Sequence, residues 1–361
     1  MYIKLLAGFL LAANIFCPAL LLAQSAPADP IQEAERLMEE GLYLKAAEQY
    51  KTAIKTAPDN VQYLYGLAMA YYRAENYKKA IEFAEKCLQA GNATIETYRL
   101  LSNSYDLNGE YDKGMATLRK GLEKYPGAGE FYVDMGIIEY LRNKPQEAVE
   151  HWEAGIKAAP HFADNYFFAT QIFLQSNKKV WALLYGETFM NIERGTARSD
   201  SVSRQLFHIY KGVVQDSLYL TRGTIDFPVK TKNNMELAVH RIFANLHKNG
   251  MMNPQRAVKP NGETNMLKMV SLVRQNFLET WMQSFMSLYA NTLFSYHRKL
   301  YDQNYLEAYT YWLFSSAATN DFWLWQTNNT TKYDKFIDWF LSNRMRVDTD
   351  NYFVRQQYNK Q

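Results

Sequence analysis

Cysteine is almost missing from this chain: its 361 residues contain two, Cys17 and Cys87. Cys17 lies in an apolar N-terminal run that is expected to be removed, so the rest of the chain has one thiol. It cannot close an internal disulfide and must rely on a packed core. Prolines number only 10 against a hydrophobic content of 48%, which excludes a disordered chain and suits a well-packed helical one. Beyond the N-terminus, no apolar stretch is long enough to span a bilayer.

Catalytic patterns are missing too. There is no Gly-x-Ser-x-Gly turn and no glycine-rich phosphate loop. His240 and His247 lie seven apart and could share a helix face, but no carboxylate stands at metal-ligand spacing. Asp348-Thr349-Asp350-Asn351 begins like a calcium loop, yet Phe353 holds the place that needs a glycine and no glutamate closes it. His297, beside Arg298 and Lys299, reads as a surface residue, and Cys87 as a buried structural thiol. Nucleic-acid binding would need a concentrated basic stripe, which is not there. The expectation is a non-enzymatic chain with no metal and no cofactor.

What is present is a period. Blocks of 34 residues starting at 27, 61, 95, 129 and 163 align without insertion. Their eighth position reads Ala34, Ala68, Ser102, Gly136 and Thr170, and their twentieth Ala46, Ala80, Gly114, Ala148 and Ala182. The twenty-seventh reads Ala53, Cys87, Gly121, Gly155 and, against the pattern, Phe189. Helices cross closely only where side chains are short, and larger residues such as Tyr71, Tyr77, Tyr105 and Leu118 fill the space between. Turns are expected at Gly41, Glu75-Asn76, Gly109, Asn143 and Asn177, and helix ends before Pro58, Pro126 and Pro160. Such hairpins cannot bury their apolar faces alone, so they must stack. Aromatic content of 15%, with 27 tyrosines, fits wedges between helices.

The pattern resembles the tetratricopeptide repeat, strongly in blocks 27–60, 61–94, 95–128 and 129–162. In 163–196 it is divergent, with Lys179 for an aromatic and Phe189 for a small residue. The resemblance implies an all-α superhelix whose concave face carries Tyr65, Met69, Tyr72, Arg73, Arg99, Asn103, Asp106, Val133, Ile137, Tyr140, Leu141, Phe167, Gln171 and Leu174. It also implies a protein-interaction scaffold that binds a protein or peptide there. Only Arg99 and Asn103 approach the carboxylate-clamp version of the family, so an acidic C-terminal tail is not the expected ligand. The apolar groove should be covered either by the C-terminal half or by a partner segment. A glycan-binding protein using Trp312, Trp323 and Trp325 is the alternative.

Lys4, the apolar run Leu5 to Leu22 and the polar segment after it read as a signal peptide cut after Ala23, which predicts a periplasmic or secreted protein of a Gram-negative envelope. Peripheral membrane association then stays open, but not spanning. Residues 197–345 lose the 34-residue register yet keep helical periodicity, with a helix at Met235–Leu246, a longer helical stretch over Met266–Leu300 and a last helix near Lys332–Ser342. Asn304-Tyr305-Leu306-Glu307-Ala308 echoes the first block's turn and predicts a repeat-like hairpin near 290–321. Short extended structure is expected within Asp216–Asn233, where Ser217–Thr221 alternates imperfectly, an exposed loop at Lys248–Thr264, and a partly disordered polar tail at 346–361. Residues 27–193 carry 18 basic and 24 acidic side chains, a balance of −6, and 194–361 carry 21 and 13, or +8. That asymmetry favours attraction between the halves, with anionic partners as the other reading.

Overall fold

The computed structural model describes residues 29–227 and 234–359; the expected signal segment and Pro228 lie outside them. Among the described residues there are seventeen α-helices and no strand beyond two isolated bridges. The first ten helices form five antiparallel pairs: α1 (Pro30–Glu39) with α2 (Tyr43–Thr56), α3 (Val61–Arg73) with α4 (Tyr77–Gln89), α5 (Ile95–Leu107) with α6 (Tyr111–Lys124), α7 (Gly129–Leu141) with α8 (Pro145–Ala158), and α9 (Ala163–Gln175) with α10 (Lys179–Ile192). Local signals set their limits. Asp29, Asn60 and Asn76 accept backbone N–H groups at helix starts, and Pro30 and Pro145 occupy first positions, where no donor is needed.

Within the first four pairs the turn has one design. Gly41, Glu75, Gly109 and Asn143 adopt left-handed φ of 75°, 58°, 80° and 60°, and the residue after each donates its N–H back to the closing helix, as Leu42 does to Leu37 O at 2.8 Å. Every residue at the three small positions is buried. The fit is tightest at Gly136, where a Cβ would meet Trp152 Nε1 at 2.1 Å. Successive first helices touch one another while successive second helices stand further apart, so the array curves with α3, α5, α7 and α9 on its inner wall.

The fifth turn differs from expectation, because Asn177 does not take the left-handed conformation. Instead, residues 222–227 return alongside it. Thr224 and Ile225 donate to Gln175 O at 2.8 and 3.1 Å, and Asn177 donates to Ile225 O at 3.1 Å. Gly223 is required, since a Cβ would stand 2.1 Å from the Ser176 carbonyl carbon. The extended piece expected within Asp216–Asn233 is therefore here, while the alternating Ser217–Thr221 that suggested it ends in a 3-10 turn, Tyr219–Thr221. Stacking also outlasts the sequence register. Helix α11 (Ala197–Gln215) lies beside α9 as a sixth first helix, with Arg198 on Asp164 at 2.7 Å and Gln205 bonded to Gln171 at 3.3 Å, both pairs 34 residues apart.

The remaining helices are α12 (Asn234–Lys248), α13 (Met266–Ser284), α14 (Thr292–Asp302), α15 (Leu306–Leu313), α16 (Thr319–Asn328) and α17 (Thr330–Ser342). The stretch expected over Met266–Leu300 is thus two helices. Phe285 and Met286 both donate to Trp281 O at 2.9 Å, and Asn291 caps α14. Between α14 and α15, Asn304 at φ 59° repeats the repeat-type turn, with Tyr305 donating to Leu300 O at 2.7 Å. The loop after α12 is anchored, with Met252 and Ala257 buried. So is the tail, which was expected to be polar and loose: Met345, Val347, Phe353 and Val354 all enter the core. One apolar cluster runs unbroken from Ala148 in α8 to Val354.

Candidate binding surfaces

The fourteen residues assigned to the concave face lie on α3, α5, α7 and α9 and differ in availability. Tyr65, Met69, Tyr72, Asn103, Asp106 and Ile137 are half-buried, Arg73 is exposed, and Tyr140 and Leu141 are 43% and 64% exposed. Others are already engaged. Arg99 makes a two-pronged ion pair with Asp134 at 2.6 and 3.0 Å, so it has no free guanidinium for a ligand carboxylate. Val133 is buried, and its carbonyl accepts from Trp152 Nε1 at 3.2 Å. Phe167 packs on Phe189 at 5.2 Å beneath the Arg198 guanidinium, while Gln171 is tied to α11. Leu174 is half-buried against the core.

Along the inner wall, Tyr72, Asp106 and Tyr140 hold the same place in three successive first helices, 34 residues apart. Asp106 Oδ1 is shielded from water and has no hydrogen-bond partner, and burial raises the pKa of its carboxyl.

Apart from α11, which packs on α9, the C-terminal half lies away from this wall. It docks against the second helices α8 and α10 through two buried ion pairs in which the solenoid supplies the acid. Glu187 of α10 accepts from Arg274 at 2.6 and 2.8 Å, from Tyr309 at 2.9 Å and from His297 Nε2 at 2.6 Å. Glu153 of α8 accepts from Arg355 at 2.6 and 2.9 Å, from Tyr185 at 2.7 Å and from Gln356 at 2.6 Å. The charge asymmetry is spent partly on these contacts. His297, expected at the surface, is buried in this network, and burial lowers its pKa against the opposing pull of Glu187. Burial pushes the Glu187 carboxyl up, but Arg274 and His297 outweigh it and hold it well below the carboxylate range. The sequence carries one signal for this site: Glu187 is the only charged residue from Val180 to Ile192.

Other candidates fall away on geometry. His247 Nε2 sits 2.5 Å from Val213 O, and His240 lies 3.6 Å from Glu236. No cluster of three metal-binding side chains occurs among the described residues. The Cys87 thiol is buried, donates to Val61 O at 3.2 Å and is pushed up to about 11 by burial. The three tryptophans form no common platform. Trp325 stacks on Tyr311 at 4.3 Å, Trp312 packs against Phe340 at 4.6 Å, and only Trp323 is exposed, at 57%. Among the described residues no helix is long and apolar enough to cross a membrane.

Comparison with known proteins agrees with the stacked hairpins. A tetratricopeptide-repeat family model matches residues 31–93. The match covers the first two hairpins, α1 to α4, of the helical solenoid. It is 24% identical over 178 residues to the CTR9 homolog of Arabidopsis thaliana, covering 46% of this chain and 16% of that protein. It is 28% identical over 131 residues to the TPR repeat-containing protein MJ1428 of Methanocaldococcus jannaschii, covering 36% of this chain and 23% of that protein. The chain thus spans less than a quarter of the length of these two relatives. The crystal structure of MamA is similar at 19% identity and a TM-score of 0.38, over 44% of this chain and 93% of that one. Tetratricopeptide proteins commonly mediate protein–protein interaction and are generally scaffolds without catalytic activity.

Proposed function

We propose that this chain is an exported scaffold of the bacterial envelope that binds an extended or helical segment of a protein partner along the concave wall of α3, α5 and α7. One observation carries the reading: Asp106 stands unpartnered between Tyr72 and Tyr140 on a wall that the C-terminal half leaves open. Tyr65, Met69, Ile137 and Leu141 supply apolar contact around it, and the partner supplies a hydrogen-bond donor or cation to Asp106. With Arg99 taken by Asp134, the wall favours a basic segment over an acidic one.

A displayed peptide library selected on the full chain tests this. Selected peptides should carry Lys or Arg among apolar residues, and Asp106→Asn with Tyr140→Ala should weaken them about tenfold or more while melting stays close to the unsubstituted value. Peptides that bind the double variant equally well would place the site elsewhere. Export has its own test in intact-mass measurement of the native protein, where loss of Met1 to Ala23 is expected.

A further inference from the structure

A separate recess opens where the two halves meet. The end of α10, the start of α14 and the segment that follows α17 enclose an open cleft of about 1330 Å3. That exceeds the roughly 300–1,000 Å3 of ordinary small-molecule sites, and junctions of this kind are where ligand sites concentrate. Residues 344–347 alternate, with Met345 and Val347 turned into the core and Arg344 and Arg346 exposed. Lys299 of α14 lines the same cleft, and none of these three cations has an ion-pair partner among the described residues. Against them stand Asp348 and Asp350 in the following turn, where Asp348 accepts the Asp350 N–H at 3.0 Å, so the charged lining sums to +1.

The rest of the lining is largely amide, hydroxyl and phenol. Asn191 is the decisive member. It is only 3% exposed, and its Nδ2 donates to Tyr309 OH at 2.6 Å and to Glu187 O at 2.8 Å, yet its Oδ1 has no partner. A buried carbonyl in that state calls for a donor, which a ligand hydroxyl can supply.

We infer that this cleft binds an acidic oligosaccharide. Guanidinium and ammonium groups meet its carboxylate or sulfate groups, while amides and phenols meet its hydroxyls. The volume suits several linked rings rather than one. A peptide would need exposed apolar anchors, and of the aliphatic lining Met345 and Val347 are turned into the core, which leaves Ile192, Leu341 and the small Ala290.

Titration calorimetry on the full chain tests the assignment with tetragalacturonate, its methyl ester, a heparin-derived tetrasaccharide and a glutamate-rich peptide of matched charge. At least one acidic sugar should bind, with the ester and the peptide about tenfold or more weaker. Arg344→Ala combined with Arg346→Ala should remove about tenfold of that affinity without changing the melting temperature, because both side chains are exposed. Asp106→Asn should leave sugar binding unchanged, which separates this cleft from the concave wall. Absence of binding by either acidic sugar, undiminished binding by the double arginine variant, or a peptide bound as tightly as the sugar would overturn the inference.

Discussion

Single residues decide how the halves hold together. Glu187 is a buried carboxylate that accepts four hydrogen bonds from three side chains of the C-terminal half. Removing water from such a charge costs several kcal/mol, which its partners offset only as a complete set. Glu187→Ala leaves Arg274 charged and buried, so urea denaturation should show a loss of about 3–5 kcal/mol. Glu187→Leu together with Arg274→Met and His297→Phe should recover most of that loss, since no charge is left unpaired. A single variant as stable as the parent would mean that the network contributes little. Acidification probes the same group. His297 and Glu187 both have folded pKa values below their unfolded ones, so the unfolded chain takes up protons first and stability falls with pH. The His297 contribution is complete above the ordinary value of 6.5 and is lost as pH falls below it; that of Glu187 goes below 4.5. Melting temperature should therefore drop between pH 7 and 5, and His297→Gln should flatten that drop, leaving the smaller slope of His151, whose pKa burial also lowers. An unchanged slope would exclude His297 as the titrating group. None of this network could be assembled from the sequence, because its members lie up to 122 positions apart and no local period links them.

Helices and turns were far more legible, because their signals are local. The small residues at fixed places, the glycine and asparagine turns and the prolines after second helices all act within a few residues of where they stand. Gly136 illustrates the constraint: its Cβ would run into the indole of Trp152, a rigid group. Gly136→Ala should cost about 1–3 kcal/mol, readable as a lower urea midpoint at unchanged slope. Ala308 is fully buried beside the turn at Asn304, so Ala308→Leu should cost a similar amount, about 1–3 kcal/mol. Either variant melting like the parent would show slack at that crossing. What stayed hidden were the elements whose partners are distant. Helix α11 stacks on α9, yet Arg204 takes the place of a small residue and, among the described residues, no helix follows it directly as the second arm of a hairpin. The tail was hidden for the same reason. Its apolar Phe353 and Val354 stand among polar neighbours, and only the contact with Tyr185 and Glu153 explains their burial.

Across the whole molecule, the distribution of cores sets how it comes apart. Blocks one to three, together with α7 of block four, hold three small separate clusters, whereas everything from Ala148 onward shares a single one. Stability in a stacked array is a sum of units and their interfaces, so the end with the smaller clusters and no docked partner opens first. Native-state hydrogen exchange should accordingly show protection rising from α1 towards α10, with α10, α13 and α15 opening together in one cooperative step. Removal of residues 344–361 would strip Phe353 from Tyr185 and leave the buried Glu153 without Arg355. Protection should then fall in α8 and α10 while α1 to α4 exchange as before. Uniform loss of protection in all ten solenoid helices would mean that the array unfolds as one block. An unaffected α8 would mean that the Glu153 ion pair does not fasten the tail. The gradient also bears on binding, because the open wall around Asp106 lies at the centre of the less protected part, on helices that can adjust to a partner while α10 stays fixed.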